Sequence, residues 1–267
     1  MKLASVSEQV VIDTARELGR ALGASKAFRD YERALEQYQG DPSAADLLEQ
    51  VRRVQQEASM QEMLWGSSGG DGAEKLASLQ QQVRVHPAIR DLQQAETELG
   101  ALLFGTVLRL GDLTRIDYAE ACTGRALSSC GPARPAEEFA TALRDSPEIS
   151  EVVETLGRSI QETDAFRRFE VARSAFQNDP GVVRIREQVK SAVGAYVQAQ
   201  KNGSVTLNVI ENVRTVQNKL REHPLVQDFS SRRQEVYNAL QAVNQAVGEV
   251  LGIDIAQIVA PASGCCG

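Results

Sequence analysis

Residues 18–51 read LGRALGASKAFRDYERALEQYQGDPSAADLLEQV, and residues 156–189 read LGRSIQETDAFRRFEVARSAFQNDPGVVRIREQV. Set against each other at a shift of 138, these segments share 14 of 34 positions. Unrelated segments of ordinary composition would share about two or three. The match continues with one-residue slips. His86-Pro87 falls on His223-Pro224, Ile116-Asp117 on Ile253-Asp254, and Cys130-Gly131 on Cys266-Gly267. The chain is therefore a duplication, and the fold of one copy decides the fold of the whole.

Each copy reads as helices. Val11, Ala15, Leu18 and Leu22 recur at the three- and four-residue spacing of one helical stripe. Ser25 and its counterpart Thr163 stand where an N-cap is wanted, ahead of Phe28, Tyr31, Leu35 and Tyr38. Asp41-Pro42 and Asp179-Pro180 each supply a capping carboxylate followed by proline at the first helical position, where no amide bond is lost. Third helices follow with Leu47, Leu48, Val51 and Val54, and with Ile185, Val189 and Val193. Residues 65–72 and 201–204 read as loops. Fourth helices then carry Leu76, Leu79 and Val83, and Val209, Val213, Val216 and Leu220. His86-Pro87 and His223-Pro224 open long fifth helices. The expected fold is all-α, with two duplicated helical-bundle repeats built from long helical hairpins. The expected organisation is a first repeat at 1–130, a linker at 131–146 around Gly131-Pro132-Ala133-Arg134-Pro135, and a second repeat at 147–267 with a cysteine-containing tail. Residues 137–144 are expected to add a short helix.

Composition removes several function classes. The 267 residues carry a formal charge of −7, and aromatics make up 5%. Neither a dense cationic face nor a base-stacking platform is expected, which argues against broad nucleic-acid binding. No apolar run is long enough to span a bilayer, and no signal-peptide pattern opens the sequence. A cytoplasmic location, with reduced thiols, is the expectation. The apolar stripe Leu99-Leu102-Leu103-Val107-Leu110 needs a partner, so protein partners, a homo-oligomer or an intrachain pseudo-dimer are expected.

Ala15-Arg16-Glu17-Leu18-Gly19 with Phe28-Arg29-Asp30-Tyr31 and Asp41-Pro42 resembles the YlbF/YmcA family of small bacterial helical proteins. So does Leu156-Gly157 with Phe166-Arg167-Arg168-Phe169 and Asp179-Pro180. The resemblance covers nearly the whole chain, twice, and rests mostly on structural motifs. It implies a non-catalytic regulatory or adaptor role, with partners that direct messenger-RNA maturation by ribonuclease Y and developmental regulation. It also implies an iron–sulfur cluster held by cysteines near the tails.

Four cysteines are available for such a cluster: Cys122, Cys130, Cys265 and Cys266. Thiolates are the usual cluster ligands, but no Cys-x-x-Cys occurs, and Val259 or Ile258 stands where the second copy would match Cys122. The alternative is a structural helical scaffold with incidental thiols and no cofactor. His86 and His223 precede proline at equivalent turns, which points to structure rather than to a metal. The glycine-rich run at 66–72 lacks the Gly-Lys-Ser/Thr of a phosphate loop. Arg20, Arg158, Arg29 and Arg167 recur in both copies. They read as partners in ion pairs, Arg29 with Glu32 and Arg167 with Glu170, with an acidic partner or RNA phosphates as the other reading. No nucleophile–base–acid set is visible, so the chain is not expected to be an enzyme.

Overall fold

A computed structural model describes residues 7–65, 70–124 and 141–259. All regular structure among them is helical. The first copy forms α1 (Glu8–Gly23), α2 (Lys26–Gln39), α3 (Pro42–Trp65), α4 (Gly70–Val85), α5 (Pro87–Thr114) and the short α6 (Tyr118–Thr123). The second forms α7 (Pro147–Gln161), α8 (Asp164–Asn178), α9 (Pro180–Lys201), α10 (Leu207–Arg221), α11 (Pro224–Leu251) and the short α12 (Ile255–Val259). Residues 141–144 are also helical; the rest of the helix expected at 137–144 lies outside the described residues.

The boundaries follow the capping chemistry. Ser25 Oγ accepts from the Phe28 amide at 3.1 Å, and Thr163 Oγ1 accepts from the Phe166 amide at 3.2 Å. Asp41 Oδ1 takes the Ser43 amide at 2.9 Å, and Asp179 Oδ1 takes the Val182 amide at 2.8 Å. α5 and α11 both end in a left-handed residue, Arg115 at φ 53° and Gly252 at φ 76°. Of the loop expected at 65–72, Trp65 belongs to α3 and Gly70–Gly72 to α4, while residues 66–69 lie outside the described residues.

The two copies exchange their first helices. α1 packs chiefly on α11, the long helix of the second copy, while α7 packs on α5, the long helix of the first. α1 and α7 also pack on each other, whereas α2 and α8 stay on the long helices of their own copies. The result is one shared core. Val11, Ala15, Leu18 and Leu22 of α1 are buried together with Val153, Leu156 and Ile160 of α7, and with Val236, Leu240, Val243 and Val247 of α11. Each such aliphatic side chain contributes about 1.5–3 kcal/mol on burial, so the sum far exceeds what any single surface contact could add. The stripe Leu99-Leu102-Leu103-Val107-Leu110 lies in this same core. The partner it needs is thus supplied from within the chain.

Glycine makes the crossing close. A Cβ on Gly19 would stand 2.9 Å from both the Val247 carbonyl oxygen and Val250 Cβ. A Cβ on Gly157 would stand 2.5 Å from Leu113 Cδ1 and 3.0 Å from Leu113 Cβ. Gly19 and Gly157 are the matching glycines of the two Leu-Gly-Arg motifs, so the motif is explained by helix-on-helix approach. The Arg20 and Arg158 side chains cap nothing across the interface; each donates back to the carbonyl four residues earlier, Arg16 and Glu154.

Away from this core, α3 and α4 form a hairpin with a satellite cluster of Ala44, Leu47, Val54, Leu79 and Ile89. The α9–α10 hairpin of the second copy is thinner: Val182, Ile185 and Ala192 are buried on α9, while α10 buries no residue.

Candidate functional site

α6 and α12 are the pseudo-equivalent short helices that close each copy, and they pack on each other and on α5. Asp117 Oδ1 caps α6 by accepting from the Glu120 amide at 3.0 Å, and Asp254 Oδ1 caps α12 by accepting from the Gln257 amide at 3.0 Å. Polar side chains of α11 pin both. Gln241 Nε2 donates to the Ala121 carbonyl at 3.0 Å, and Tyr237 donates to Glu120 Oε1 at 3.4 Å. Asn244 is buried and spans the junction: its Nδ2 donates to Asp254 Oδ1 at 2.9 Å, and its Oδ1 accepts from the Ala256 amide at 3.2 Å. A buried asparagine with both ends satisfied fixes one relative placement of α11 and α12.

Cys122 sits at this junction, half-buried on α6, with its thiol donating to the Leu240 carbonyl at 3.6 Å. Burial pushes its pKa up to about 12. Tyr118, one turn earlier, is fully buried, and its hydroxyl has no hydrogen-bond partner of good geometry; the Cys122 thiol is the polar group beside it. Burial, chiefly, raises the Tyr118 pKa well above the usual phenol value. A cluster ligand must be a thiolate, and burial at this position favours the protonated form of Cys122. Among the described residues no group of three His, Cys, Asp or Glu side chains could hold a metal ion. Cys130, Cys265 and Cys266 lie outside the described residues.

The histidines are placed by their turns, and one of them forms a contact that spacing alone did not reveal. Ser43 donates to Asp41 Oδ1 at 2.6 Å and stands 3.0 Å from His86 Nε2. These residue types suggest a catalytic triad, but the polarity is wrong. A nucleophilic serine must give its proton to the histidine, and Ser43 gives it to Asp41. With the hydroxyl proton on Asp41, Ser43 can meet His86 Nε2 only as an acceptor from the Nε2–H tautomer. The buried His86 Nδ1 has no partner, and the carboxylate near the ring, Asp41, stands 3.8 Å from Nε2, on the same side as Ser43. The chain of bonds holds the start of α3 against the start of α5. Gly181 replaces Ser43 in the second copy, and His223 has no such hydroxyl. The signal was available as Asp41-Pro42-Ser43 and His86-Pro87, but 43 residues separate the partners.

The expected Arg29–Glu32 and Arg167–Glu170 pairs need correction. Arg29 donates to the Ser25 carbonyl instead, closing the first turn of α2. Glu170 pairs with Arg173, one helical turn ahead on the same face, at 2.7 Å. The ion pairs that join the copies come from elsewhere. Arg109 of α5 donates to Glu154 of α7 through Nε at 2.7 Å, and Arg16 of α1 lies 3.8 Å from Glu249 of α11.

No helix among the described residues is long and apolar enough to cross a membrane. No curated protein and no solved structure matches the chain. A family model, described as control of competence regulator ComK, YlbF/YmcA, matches residues 11–105 and again residues 149–251. These spans run from the exchanged first helix of each copy into or through its long fifth helix, and the chain belongs to the YlbF/YmcA family of competence regulators, carrying it in two copies.

Proposed function

We propose that this chain is a non-catalytic regulatory adaptor that works by assembling with protein partners, in the family role of messenger-RNA maturation by ribonuclease Y and developmental regulation. The observation that supports this most is the family match to both copies, taken with the exchanged packing that makes them one body. In this reading a fused, internally paired chain does the work of two associated subunits. The Ser43 hydroxyl, which donates to Asp41, supports a role without catalysis. Deleting the gene in its native host and mapping transcript ends tests the role. Altered processing is expected and is restored by the intact gene; an unchanged pattern of transcript ends contradicts it.

The cofactor part of the proposal is an iron–sulfur cluster on cysteines of the two repeat ends. Its support is that α6 and α12, which precede Cys130 and Cys265-Cys266 in sequence, pack side by side. The chemistry such a group supplies is redox sensing or structural cross-linking. Cys122 belongs to this set only by giving up its bond to Leu240 and its proton. Anaerobic purification with an absorption spectrum and an iron assay reads this directly. A coloured, iron-bearing protein that Cys→Ser substitutions bleach is expected, and a colourless, iron-free one returns the thiols to the scaffold reading.

A further inference from the structure

We propose that the arginine–aromatic face of the second copy, on α8, α9 and α11, is a docking surface for an acidic segment of a partner protein. This rests on the adaptor reading and names the chemistry of one partner.

The face is a continuous ladder. Phe169 and Phe229 stack with centroids 5.7 Å apart and planes at 26°, and Phe229 and Phe176 stack at 4.7 Å and 8°. Arginines lie over the rings: Arg173 over Phe169 at 5.6 Å, Arg186 over Phe176 at 5.4 Å, and Arg233 over both Phe229 at 5.9 Å and Tyr237 at 5.5 Å. Arg173 is also tied to Glu170, and the nearby carboxylates of Asp228 and Glu235 are taken by Arg232 and Arg168. Arg186 and Arg233 are exposed and form no ion pair among the described residues. Their guanidinium carbons lie within 6 Å of ring centroids, and both residues are open to solvent.

The first copy is the control. At the shifts that superimpose the two, Arg173 falls on Leu35, Arg186 on Leu48, Phe229 on Leu92 and Arg233 on Glu96. The same fold is thus built there without the ladder, and Leu48 packs against the satellite cluster instead. Fold therefore does not require arginine at these positions. An exposed cation–ring contact contributes only about 0.5–1 kcal/mol, too little to account for three arginines and a phenylalanine gathered in one patch.

The occupant follows from what is left free. Of the arginines named on this face, two are free of carboxylates among the described residues, Arg186 and Arg233, too few to follow an extended phosphate backbone. The chain as a whole is acidic, but the charged groups named on this face are five arginines against three carboxylates, so the face is locally cationic. What remains is two guanidinium groups without a carboxylate partner, donors that carboxylates accept bidentately.

The test is a fluorescence anisotropy titration of the intact chain with a labelled ten-residue glutamate peptide, and in parallel with labelled oligouridylate. The double variant Arg186→Leu, Arg233→Glu installs the first copy's own residues and serves as comparator. The peptide is expected to bind, to weaken with added salt, and to lose about tenfold or more in affinity in the double variant, whose helical circular dichroism at the assay temperature stays at the wild-type value. Three results would overturn the proposal: no peptide binding, equal binding by the variant, or tighter binding of oligouridylate at the same ionic strength. None of these touches the transcript-end measurement, so this surface and the adaptor role fail separately.

Discussion

Gly19 of α1 lies so close to α11 that its missing Cβ would stand 2.9 Å from Val250 Cβ, and Gly157 of α7 meets Leu113 of α5 in the same way. These two contacts mark the places where each copy's first helix crosses to the other copy. Alanine at either position forces the helices apart and is expected to destabilise the chain by about 1–3 kcal/mol. Gly19→Ala is the harsher change, because one neighbour is a backbone carbonyl. Gly194 and Gly100, mid-helix with nothing within 4 Å of a built Cβ, are the controls. Alanine there is expected to stabilise by about 0.5–1 kcal/mol through helix propensity alone. Denaturant midpoints of the four variants decide the matter by sign.

The left-handed residue after α5 is Arg115 at φ 53°, where the second copy has Gly252 at φ 76°. Arginine is strained there and glycine is not. Arg115→Gly is expected to raise stability by about 0.5–1 kcal/mol, and Gly252→Arg to lower it by a similar amount. Thermal unfolding of the two single variants checks both signs.

At the α6 junction the folded chain holds protons that the unfolded chain sheds. Cys122 is raised from 9.0 to about 12, and Tyr118 is raised as well. Their contribution is therefore full below about pH 9 and falls as pH climbs toward 12. Urea unfolding at pH 8 and pH 10.5 is expected to show about 2 kcal/mol more loss in the wild type than in Cys122→Val, which carries the residue that the second copy has at this position. Equal losses in both proteins would contradict the placement of the thiol.

Tyr118 buries a hydroxyl with no well-formed hydrogen bond. Removing it as Tyr118→Phe is expected to leave stability unchanged or raise it by up to about 1 kcal/mol, since a buried unpaired polar group costs free energy. A loss of more than 1 kcal/mol on calorimetry would mean the hydroxyl is bonded after all.

Local structure was legible in the sequence because its causes are local. Ser25, Thr163, Asp41 and Asp179 cap the helices they precede, and Val11, Ala15, Leu18 and Leu22 all face the core. The duplication was legible for the same reason. Which copy each first helix packs on was not. Hydrophobic pattern alone does not choose between α5 and α11 for Leu18; the close approaches at Gly19 and Gly157 and the ion pairs Arg16–Glu249 and Arg109–Glu154 join partners far apart in sequence. The Ser43–His86 bond and the ring-stacked arginines escaped notice because their partners are far apart in sequence. The Arg29–Glu32 expectation failed because Ser25's carbonyl, at the helix start, competes for the guanidinium.

The central claim is that α1 crosses to the second copy. Arg16 and Glu249, 3.8 Å apart, report on it, since one is on α1 and the other on α11. Arg16→Lys makes the pair reactive to a zero-length carbodiimide cross-linker, and peptide mass spectrometry of dilute monomer reads the product. An intramolecular link between position 16 and Glu249 is predicted. Links from position 16 confined to carboxylates of α5, such as Asp112, would place α1 on its own copy and contradict the account.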